Sequence, residues 1–272
     1  MRVLQSLLAL VAVGYIVVCG FTYFGQEELI FHPRELPDDY VFSFEQPFKE
    51  LKLTASDGGI VDAAEFPAAK GCTTELGTVI YIHGNAAAID RFGNRPGYFT
   101  SRCWSALLFD YRPFGKSRGE LTAGSPLLDA RAAYDYVLTK IPSERIILYG
   151  QSLGTGIASE LASQVKERAV ILEAPFLSVL SMAEDQYPYL PVAWFLKFPM
   201  RSDLAVPQIK SPVTIFHGTN DDIIPFAQGE ALSKLVKSSV KFVAIKGGGH
   251  NDLPSAPEYS AALNEILGPP VN

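Results

Sequence analysis

The chain has 272 residues, of which 48% are hydrophobic and 19% are charged, and its formal net charge is −6. This length and balance are typical of a globular protein with a sizeable core, and they exclude an intrinsically disordered chain. Proteins that bind nucleic acid carry basic patches, so the acidic charge argues against a nucleic-acid partner.

The first 25 residues form an apolar segment that differs from the rest of the chain. No charged side chain occurs from Val3 to Phe24, and as a helix this stretch would be roughly 33 Å long, enough to cross a bilayer core of about 30 Å. We therefore predict that residues 1–25 are an uncleaved membrane anchor. A cleaved signal peptide is the alternative, because such peptides also join a basic residue to an apolar run.

The charges that flank this segment predict its orientation. Arg2 lies on one side, and Glu27 and Glu28 lie on the other. Because the cationic flank stays in the cytoplasm, we expect the body of the protein on the exported side, periplasmic or extracellular. The proline-containing stretch 26–46 predicts an extended arm that leaves the membrane.

In the body, short apolar runs alternate with stretches of helical periodicity. Residues 48–68 predict two strands joined by a hairpin turn at Ser56-Asp57-Gly58-Gly59. Further strands are predicted within residues 77–84, 105–117, 144–152, 168–175, 211–222 and 240–250, and helices within 126–140, 152–166, 226–237 and 256–267. This alternation predicts an α/β fold with a mostly parallel central sheet and helices on both faces. The body has no linker rich in Gly, Pro or Ser, so residues 26–272 are predicted to form a single domain.

Residues 176–207 interrupt the alternation. They contain four prolines and the pair Trp194–Phe195. We predict a small cap-like insertion before the strand within 211–222, with a loop that merely covers a sheet edge as the alternative.

The segment Gly150-Gln151-Ser152-Leu153-Gly154 matches the pattern G-x-S-x-G between a predicted strand and a predicted helix. That is the context of a nucleophile elbow, in which glycines let the strand and the helix approach closely. We predict Ser152 as a nucleophile. The alternative is an ordinary helix start with serine as the N-cap residue.

A serine hydroxyl needs a base to take its proton, and the chain has four histidines. His32 lies in the arm, and His83 and His217 lie in His-Gly pairs at strand ends, where we expect structural roles. His250 lies in a glycine-rich segment after the last predicted strand, so it is the candidate base.

The acid that orients the base is expected at the end of a strand between Ser152 and His250, in the chain order Ser…Asp…His. Asp221 and Asp222 both occur there. Periodicity does not choose between adjacent aspartates, and either one is also a candidate helix-capping residue.

The oxygen of a tetrahedral intermediate needs hydrogen-bond donors. The backbone N–H of Leu153, at the start of the predicted helix, is one candidate. The loop after the strand within 77–84 offers a second at Asn85. The chain has no His-Glu-x-x-His pattern and no spaced Cys/His set, so we expect no metal and no cofactor.

Six segments together carry a family resemblance: "QEELIFHP", "YIHGNA", "DYRPFGKSRG", "YGQSLGTG", "HGTNDDIIPF" and "GGGHND". They span residues 26–252 and resemble the α/β-hydrolase superfamily of serine hydrolases, closest to its membrane-anchored, Bem-forty-six-like branch. The resemblance implies these roles: nucleophile Ser152, base His250, acid Asp221, and oxyanion donors from the backbones of Asn85 and Leu153. One departure is Pro113, which replaces a glycine usual in the family and stiffens its loop.

The implied fold also bears on Cys72 and Cys103, each of which precedes a predicted strand. If those strands are parallel neighbours, both cysteines lie at one edge of the sheet, and a disulfide becomes geometrically possible provided that their Cα atoms come within about 7 Å. Two free thiols are the alternative.

Taken together, these features predict a membrane-tethered serine hydrolase that cleaves carboxylic esters, lipid or acyl esters among them, through an acyl-enzyme intermediate. An acyl-protein or small-molecule thioesterase is the alternative enzyme, and a non-catalytic scaffold on the same fold is the alternative outside enzymes. The expected partners are a small ester or lipid-like substrate and the membrane, with no obligate protein partner.

Overall fold

The structure, a computed structural model, describes residues 1–271, and within them the chain forms one eight-stranded sheet. The strands are β1 (Lys49–Thr54), β2 (Ile60–Phe66), β3 (Gly77–Ile82), β4 (Trp104–Asp110), β5 (Ile146–Gln151), β6 (Ala169–Glu173), β7 (Val213–Gly218) and β8 (Val240–Ile245). Their order in the sheet is β1-β2-β4-β3-β5-β6-β7-β8. The pairs β1–β2 and β2–β4 are antiparallel, and all pairs from β4 to β8 are parallel.

Helices flank this sheet. They are α1 (Arg2–Ile30), α2 (Arg95–Thr100), α3 (Ser125–Leu138), α4 (Leu153–Ala162), α5 (Val179–Gln186), α6 (Val192–Phe195), α7 (Ser202–Ala205), α8 (Phe226–Ser233) and α9 (Pro257–Leu267). Helices α3, α4 and α8 pack on one face of the sheet, and α2 and α9 pack on the other. The mostly parallel sheet with helices on both faces confirms the predicted fold class.

The core is divided by the sheet because successive strand residues point to opposite faces. In β3, Ile80 and Ile82 belong to the cluster on the α3–α4 face, whereas Val79 and Tyr81 belong to the cluster on the α2–α9 face. Strands buried on both faces are typically near-continuous apolar runs, and residues 79–82 of β3 form such a run. The carboxyl ends of these central strands carry the loops that build the site described below.

Helix α1 extends further than the apolar segment that suggested it. The sequence indicated an extended arm from residue 26, and this was wrong for residues 26–30, which form the last turn of α1. The backbone becomes extended at Phe31. The helix could not continue much further, because Pro33 disfavours helical conformation in His32, the residue that precedes it. Helix α1 is long and apolar enough to span a membrane, a property that N-terminal signal sequences share.

Residues 176–207, called the insertion below, contain α5, α6 and α7 and connect β6 to β7. Near the amino-terminal ends of β3 and β4, Cys72 and Cys103 form a disulfide with a Cα–Cα distance of 5.4 Å. Each precedes one of the parallel neighbours β3 and β4, which are in register from Gly77 opposite Trp104. The cysteines thus lie at the same edge of the sheet.

Candidate active site

Ser152 lies in the sharp turn between β5 and α4, with a φ of 49° and a ψ of −120°. A positive φ is uncommon and strained for a residue with a side chain, and such strain clusters at functional sites. The Ser152 side chain makes no capping hydrogen bond to α4, although serine is a good capping residue. The hydroxyl is therefore held away from the helix that it precedes.

Two glycines make this turn sterically feasible. A Cβ atom on Gly154 would lie 2.2 Å from the carbonyl oxygen of Ile82, and one on Gly150 would lie 2.6 Å from that of Gly154. Both separations are far below van der Waals contact. Glycine at these positions lets α4 begin directly against the ends of β3 and β5, which is the close approach expected of the G-x-S-x-G pattern.

His250 lies in the loop that follows β8, and its ring connects two other side chains. Its Nε2 atom is 2.8 Å from the Oγ atom of Ser152, and its Nδ1 atom is 2.8 Å from the Oδ2 atom of Asp221. Asp221 lies in the loop that follows β7. The structure thus brings together the three side chains expected to act as nucleophile, base and acid.

The Asp221 carboxylate is held by more than one donor. Its Oδ1 atom accepts the backbone N–H groups of Ile223 and Ile224 at 2.9 and 2.8 Å. Burial raises the pKa of Asp221, but hydrogen bonds from His217 and His250 together with the backbone bond outweigh burial and hold that pKa well below its usual value. Asp221 is therefore an anion that can orient an imidazole and stabilise its charged form.

The two remaining buried histidines have structural contacts. His83 Nδ1 lies 2.7 Å from the carbonyl oxygen of Gly84, and its Nε2 lies 3.2 Å from Asp110. His217 Nε2 lies 2.9 Å from the carbonyl oxygen of Ile224. These contacts shape the loops after β3 and β7, which agrees with the structural roles expected of the His-Gly pairs.

The two expected oxyanion donors lie near Ser152. Leu153 is the first residue of α4, so its N–H has no acceptor within the helix. The loop after β3 packs against the serine, because a Cβ atom on Gly84 would lie 3.1 Å from the Cβ of Ser152. Asn85 follows Gly84 and lines the same cavity as Ser152 and Leu153.

That cavity has a volume of about 350 Å³ and its lining is largely apolar. It is lined by Thr22, Gln26, Leu29, Ile30, Asn85, Ser152, Leu153, Phe176, Val179, Met182, Ala183, Gln186, Tyr187, Leu190, Val192, Phe195, Leu196, Ile223 and Ile224. Its size falls within the range of small-molecule sites. The Ser152 hydroxyl is hydrogen-bonded to an imidazole and lies at the wall of this apolar cavity. It can therefore attack an electrophilic carbon whose apolar substituent occupies the cavity.

A buried polar cluster beneath the serine was not anticipated from the sequence. The guanidinium of Arg95 donates two hydrogen bonds to the Glu173 carboxylate, both of 3.0 Å. Glu173 also accepts from Tyr149 and, at 3.3 Å, from the amide of Gln151, the residue before Ser152. The available signal was an acidic residue at the end of the apolar run "AVILE", where burial without a partner would be costly.

Within residues 1–271, no three His, Cys, Asp or Glu side chains lie together in an arrangement that could hold a metal ion.

Comparisons with known proteins agree with this fold. A family profile described as serine aminopeptidase, S33 matches residues 73–206. An uncharacterized protein of Mycobacterium tuberculosis is 29% identical over 249 residues, which cover 91% of this chain and 87% of that protein. Alpha/beta hydrolase domain-containing protein 17B of Xenopus laevis is 30% identical over 240 residues, which cover 87% of this chain and 81% of that protein.

Among solved structures, an esterase of Pyrococcus furiosus superimposes with a TM-score of 0.68 at 20% identity, and the match covers 88% of this chain and 97% of the esterase. This likeness shows a shared fold, while the narrower Bem-forty-six-like branch stays a prediction. With the identity to protein 17B extending over most of both sequences, the chain belongs to the α/β-hydrolase superfamily.

Proposed function

We propose that this protein is a membrane-tethered serine hydrolase that cleaves carboxylic esters, lipid or acyl esters among them. The observation that carries the proposal is the unbroken chain of contacts from Ser152 Oγ through His250 to Asp221, located at the wall of an apolar cavity. Such a chain activates a hydroxyl that is otherwise a poor nucleophile at neutral pH.

In the proposed acylation step, Ser152 Oγ attacks the carbonyl carbon of the ester while its proton passes to Nε2 of His250. The tetrahedral intermediate then collapses, the bond between the carbonyl carbon and the alcohol oxygen breaks, and the imidazolium returns its proton to the departing alcohol. Asp221 stabilises the imidazolium throughout because it is already an anion. The product of this step is an acyl-serine and a free alcohol.

In the proposed deacylation step, a water molecule takes the place of the alcohol. His250 accepts a proton from the water as its oxygen attacks the acyl carbon, and then donates that proton to Ser152 Oγ as the acyl bond breaks. A carboxylic acid leaves and the serine is regenerated. In both steps the backbone N–H groups of Leu153 and Asn85 are proposed to donate to the developing oxyanion, a contribution that typically amounts to about 3 to 4 kcal/mol for one donor.

The cavity favours an ester with an apolar acyl group over a peptide. The matching family profile is described as a serine aminopeptidase, and recognition of a free amino terminus calls for an acidic partner. Among the described residues that line the cavity at Ser152, none is Asp or Glu, and most are aliphatic or aromatic. An apolar acyl chain gains free energy from burial in such a lining, whereas an ammonium group loses it.

The membrane tether and its orientation belong to the same proposal. Helix α1 supports the tether through its length and hydropathy, and the basic residue at its start supports export of the body. The bond between Cys72 and Cys103 supports the exported side as well, because disulfides persist in oxidising compartments.

The experiment that tests the activity compares three substrates on the full chain in detergent micelles: p-nitrophenyl butyrate, a butyryl thioester and alanine p-nitroanilide. We expect hydrolysis of the oxyester that is lost in Ser152→Ala. Hydrolysis of the thioester alone would favour the thioesterase alternative, and of the anilide alone a peptidase. A folded chain that hydrolyses none of the three would favour the scaffold.

A further inference from the structure

The cavity at Ser152 lies between two elements that come from opposite parts of the chain. One wall is formed by the last turns of α1, which contribute Gln26, Leu29 and Ile30, and the facing wall includes Val179 and Met182 of the insertion. The last turns of the apolar helix α1 thus contribute directly to the cavity that contains Ser152.

Gln26 connects the two walls of the cavity through hydrogen bonds. It is 4% exposed, its Oε1 accepts the backbone N–H of Lys197 at 2.6 Å, and its Nε2 donates to the carbonyl oxygen of Phe195 at 3.3 Å. A buried amide is costly unless its hydrogen bonds are made. This one is satisfied by backbone groups of the insertion and by the carbonyl oxygen of Tyr23, which accepts from Nε2 at 2.8 Å. The contact therefore specifies where α1 packs.

Aromatic contacts extend this packing along the helix. The rings of Phe31 and Phe198 lie 5.1 Å apart and edge-on, and those of Tyr23 and Phe195 lie 6.4 Å apart. The Tyr15 hydroxyl donates to the carbonyl oxygen of Tyr189 at 2.8 Å. These contacts extend from Tyr15 to Phe31, which is roughly 24 Å of chain at helical rise.

The end of α1 is also bonded to the loop proposed to supply an oxyanion donor. The side-chain amide of Asn85 donates to the carbonyl oxygen of Ile30 at 2.7 Å, and its Oδ1 accepts the backbone N–H of His32 at 2.9 Å. Asn85 thus has its backbone in the loop beside Ser152 and its side chain on the helix terminus. The position of α1 is coupled to the geometry around the nucleophile.

The outer surface of the insertion is suited to a membrane. Tyr189 is 88% exposed and Trp194 is 89% exposed, and these residue types are enriched where proteins meet the bilayer interface. Tyr189 contacts Tyr15, which lies inside the apolar segment predicted to span the bilayer. When α1 spans the membrane, this side of the insertion reaches the level of the lipid.

From these contacts we infer that the last turns of α1 are one wall of an acyl-chain site, and that the acyl chain of a bilayer-resident ester enters that site from the membrane. The acyl chain of the ester lies between Leu29 on α1 and Met182 on the insertion, with the carbonyl carbon of the ester at Ser152. The inference rests on the proposed ester hydrolysis and adds to it the substrate class and a specificity-determining role for the helix.

The test measures kcat/KM of the full chain in detergent micelles for p-nitrophenyl butyrate and p-nitrophenyl laurate, which share a leaving group and differ in acyl length. Leu29→Trp and Met182→Trp, which narrow the site from opposite walls, are expected to lower laurate hydrolysis by at least about tenfold relative to butyrate hydrolysis. Leu7→Trp is the matched control, because it places the same bulk on an exposed part of α1 that does not line the cavity. Its ratio of laurate to butyrate hydrolysis should equal that of the wild type.

A wild-type protein that hydrolyses butyrate but not laurate would overturn this inference and leave the proposed function intact. The inference would also be overturned if Met182→Trp lowered the ratio of laurate to butyrate hydrolysis and Leu29→Trp left it unchanged. The acyl-chain site would then exist without α1 as a wall. Hydrolysis of neither ester by the wild type would overturn the proposed function, and the inference with it.

A second measurement tests entry from the bilayer. The full chain is reconstituted in phosphatidylcholine vesicles, and umbelliferyl palmitate is placed either in the same vesicles or in separate ones. Hydrolysis should be faster when enzyme and ester share a vesicle. Equal initial rates would overturn membrane entry, since the ester would then reach the site through water.

Discussion

The Nδ1 atom of His250 lies 2.8 Å from the Oδ2 atom of Asp221, whereas the adjacent Asp222 is exposed to solvent. The strand β7 ends at Gly218, and the turn after it directs one aspartate towards the loop of His250. We predict that Asp221→Asn lowers kcat for ester hydrolysis by about 10³- to 10⁴-fold, because an amide cannot stabilise the imidazolium.

Asp222→Asn is the matched control for this prediction, since it makes the same chemical change at the neighbouring position. Its kcat should stay within about twofold of the wild type, as is usual for a surface substitution. Equal losses in the two variants would show that general charge near the site, and not the contact with His250, supports activity.

The close approach of α4 to β3 predicts a steric effect at Gly154. In Gly154→Ala the new Cβ would meet the carbonyl oxygen of Ile82 at 2.2 Å, and since backbone cannot yield like a side chain, we expect a loss of about 1 to 3 kcal/mol in the free energy of unfolding. The catalytic rate should fall as well, because the elbow moves with the helix. Denaturant unfolding and ester hydrolysis measure the two effects.

Gly124→Ala provides the comparison, because a Cβ atom at Gly124 would have no neighbour within 4 Å. Its unfolding free energy should lie within about 0.5 kcal/mol of that of the wild type. If both alanine variants were equally stable, the close packing of the elbow would be contradicted.

Breaking the buried ion pair of Arg95 and Glu173 should cost much more free energy of unfolding than breaking an exposed ion pair. Arg95→Leu leaves the Glu173 carboxylate buried without its main partner, which typically costs about 3 to 5 kcal/mol. The exposed pair of Arg131 and Asp135 is the control, and Arg131→Leu should cost less than about 1 kcal/mol. Thermal unfolding of both variants tests the difference, and similar losses would contradict it.

Glu167 predicts a dependence of stability on pH. Burial raises the pKa of this carboxyl to about 7, despite a hydrogen bond from Ser211 that lowers it. Between its unfolded and folded pKa values the folded protein holds a proton that the unfolded chain has released, so stability is full below this interval and falls as the pH rises through it. Glu167→Gln keeps the shape of the side chain and removes its titration.

The melting temperature of Glu167→Gln should therefore change less than that of the wild type between about pH 4.5 and about pH 7.5, with a difference corresponding to about 1 to 3 kcal/mol. Asp62, whose pKa burial also raises to about 7, remains in the variant and preserves part of the slope. Identical pH profiles for the two proteins would contradict a raised pKa at Glu167.

The parts of the site that depend on local sequence could be predicted. Ser152 follows from a five-residue pattern whose glycines have a steric reason, and His250 follows from its position after the last strand. The choice between Asp221 and Asp222 needed either the family resemblance or the structure. A turn has no regular repeat that would distinguish two adjacent residues. Only the path of the backbone decides which of the two side chains points inward.

The parts that depend on distant contacts could not be predicted. Gln26 is hydrogen-bonded to Lys197 of the insertion, which lies 171 residues away in the sequence. No local pattern distinguishes Gln26 from any polar residue that follows an apolar segment. Glu173 is similar, because its partner Arg95 lies 78 residues away. The extension of α1 to Ile30 was missed for a related reason, since its last turn is held by tertiary contacts to Asn85 and the insertion.

The most direct test of an activated Ser152 is covalent labelling of the full chain in detergent micelles with a fluorophosphonate probe, read by intact mass and by mapping of the labelled peptide. We expect a single adduct on Ser152 that is absent from both Ser152→Ala and His250→Ala, because the hydroxyl needs the imidazole to attack phosphorus. A folded wild-type protein that gains no adduct, or that is labelled equally in His250→Ala, would contradict an activated serine at this site.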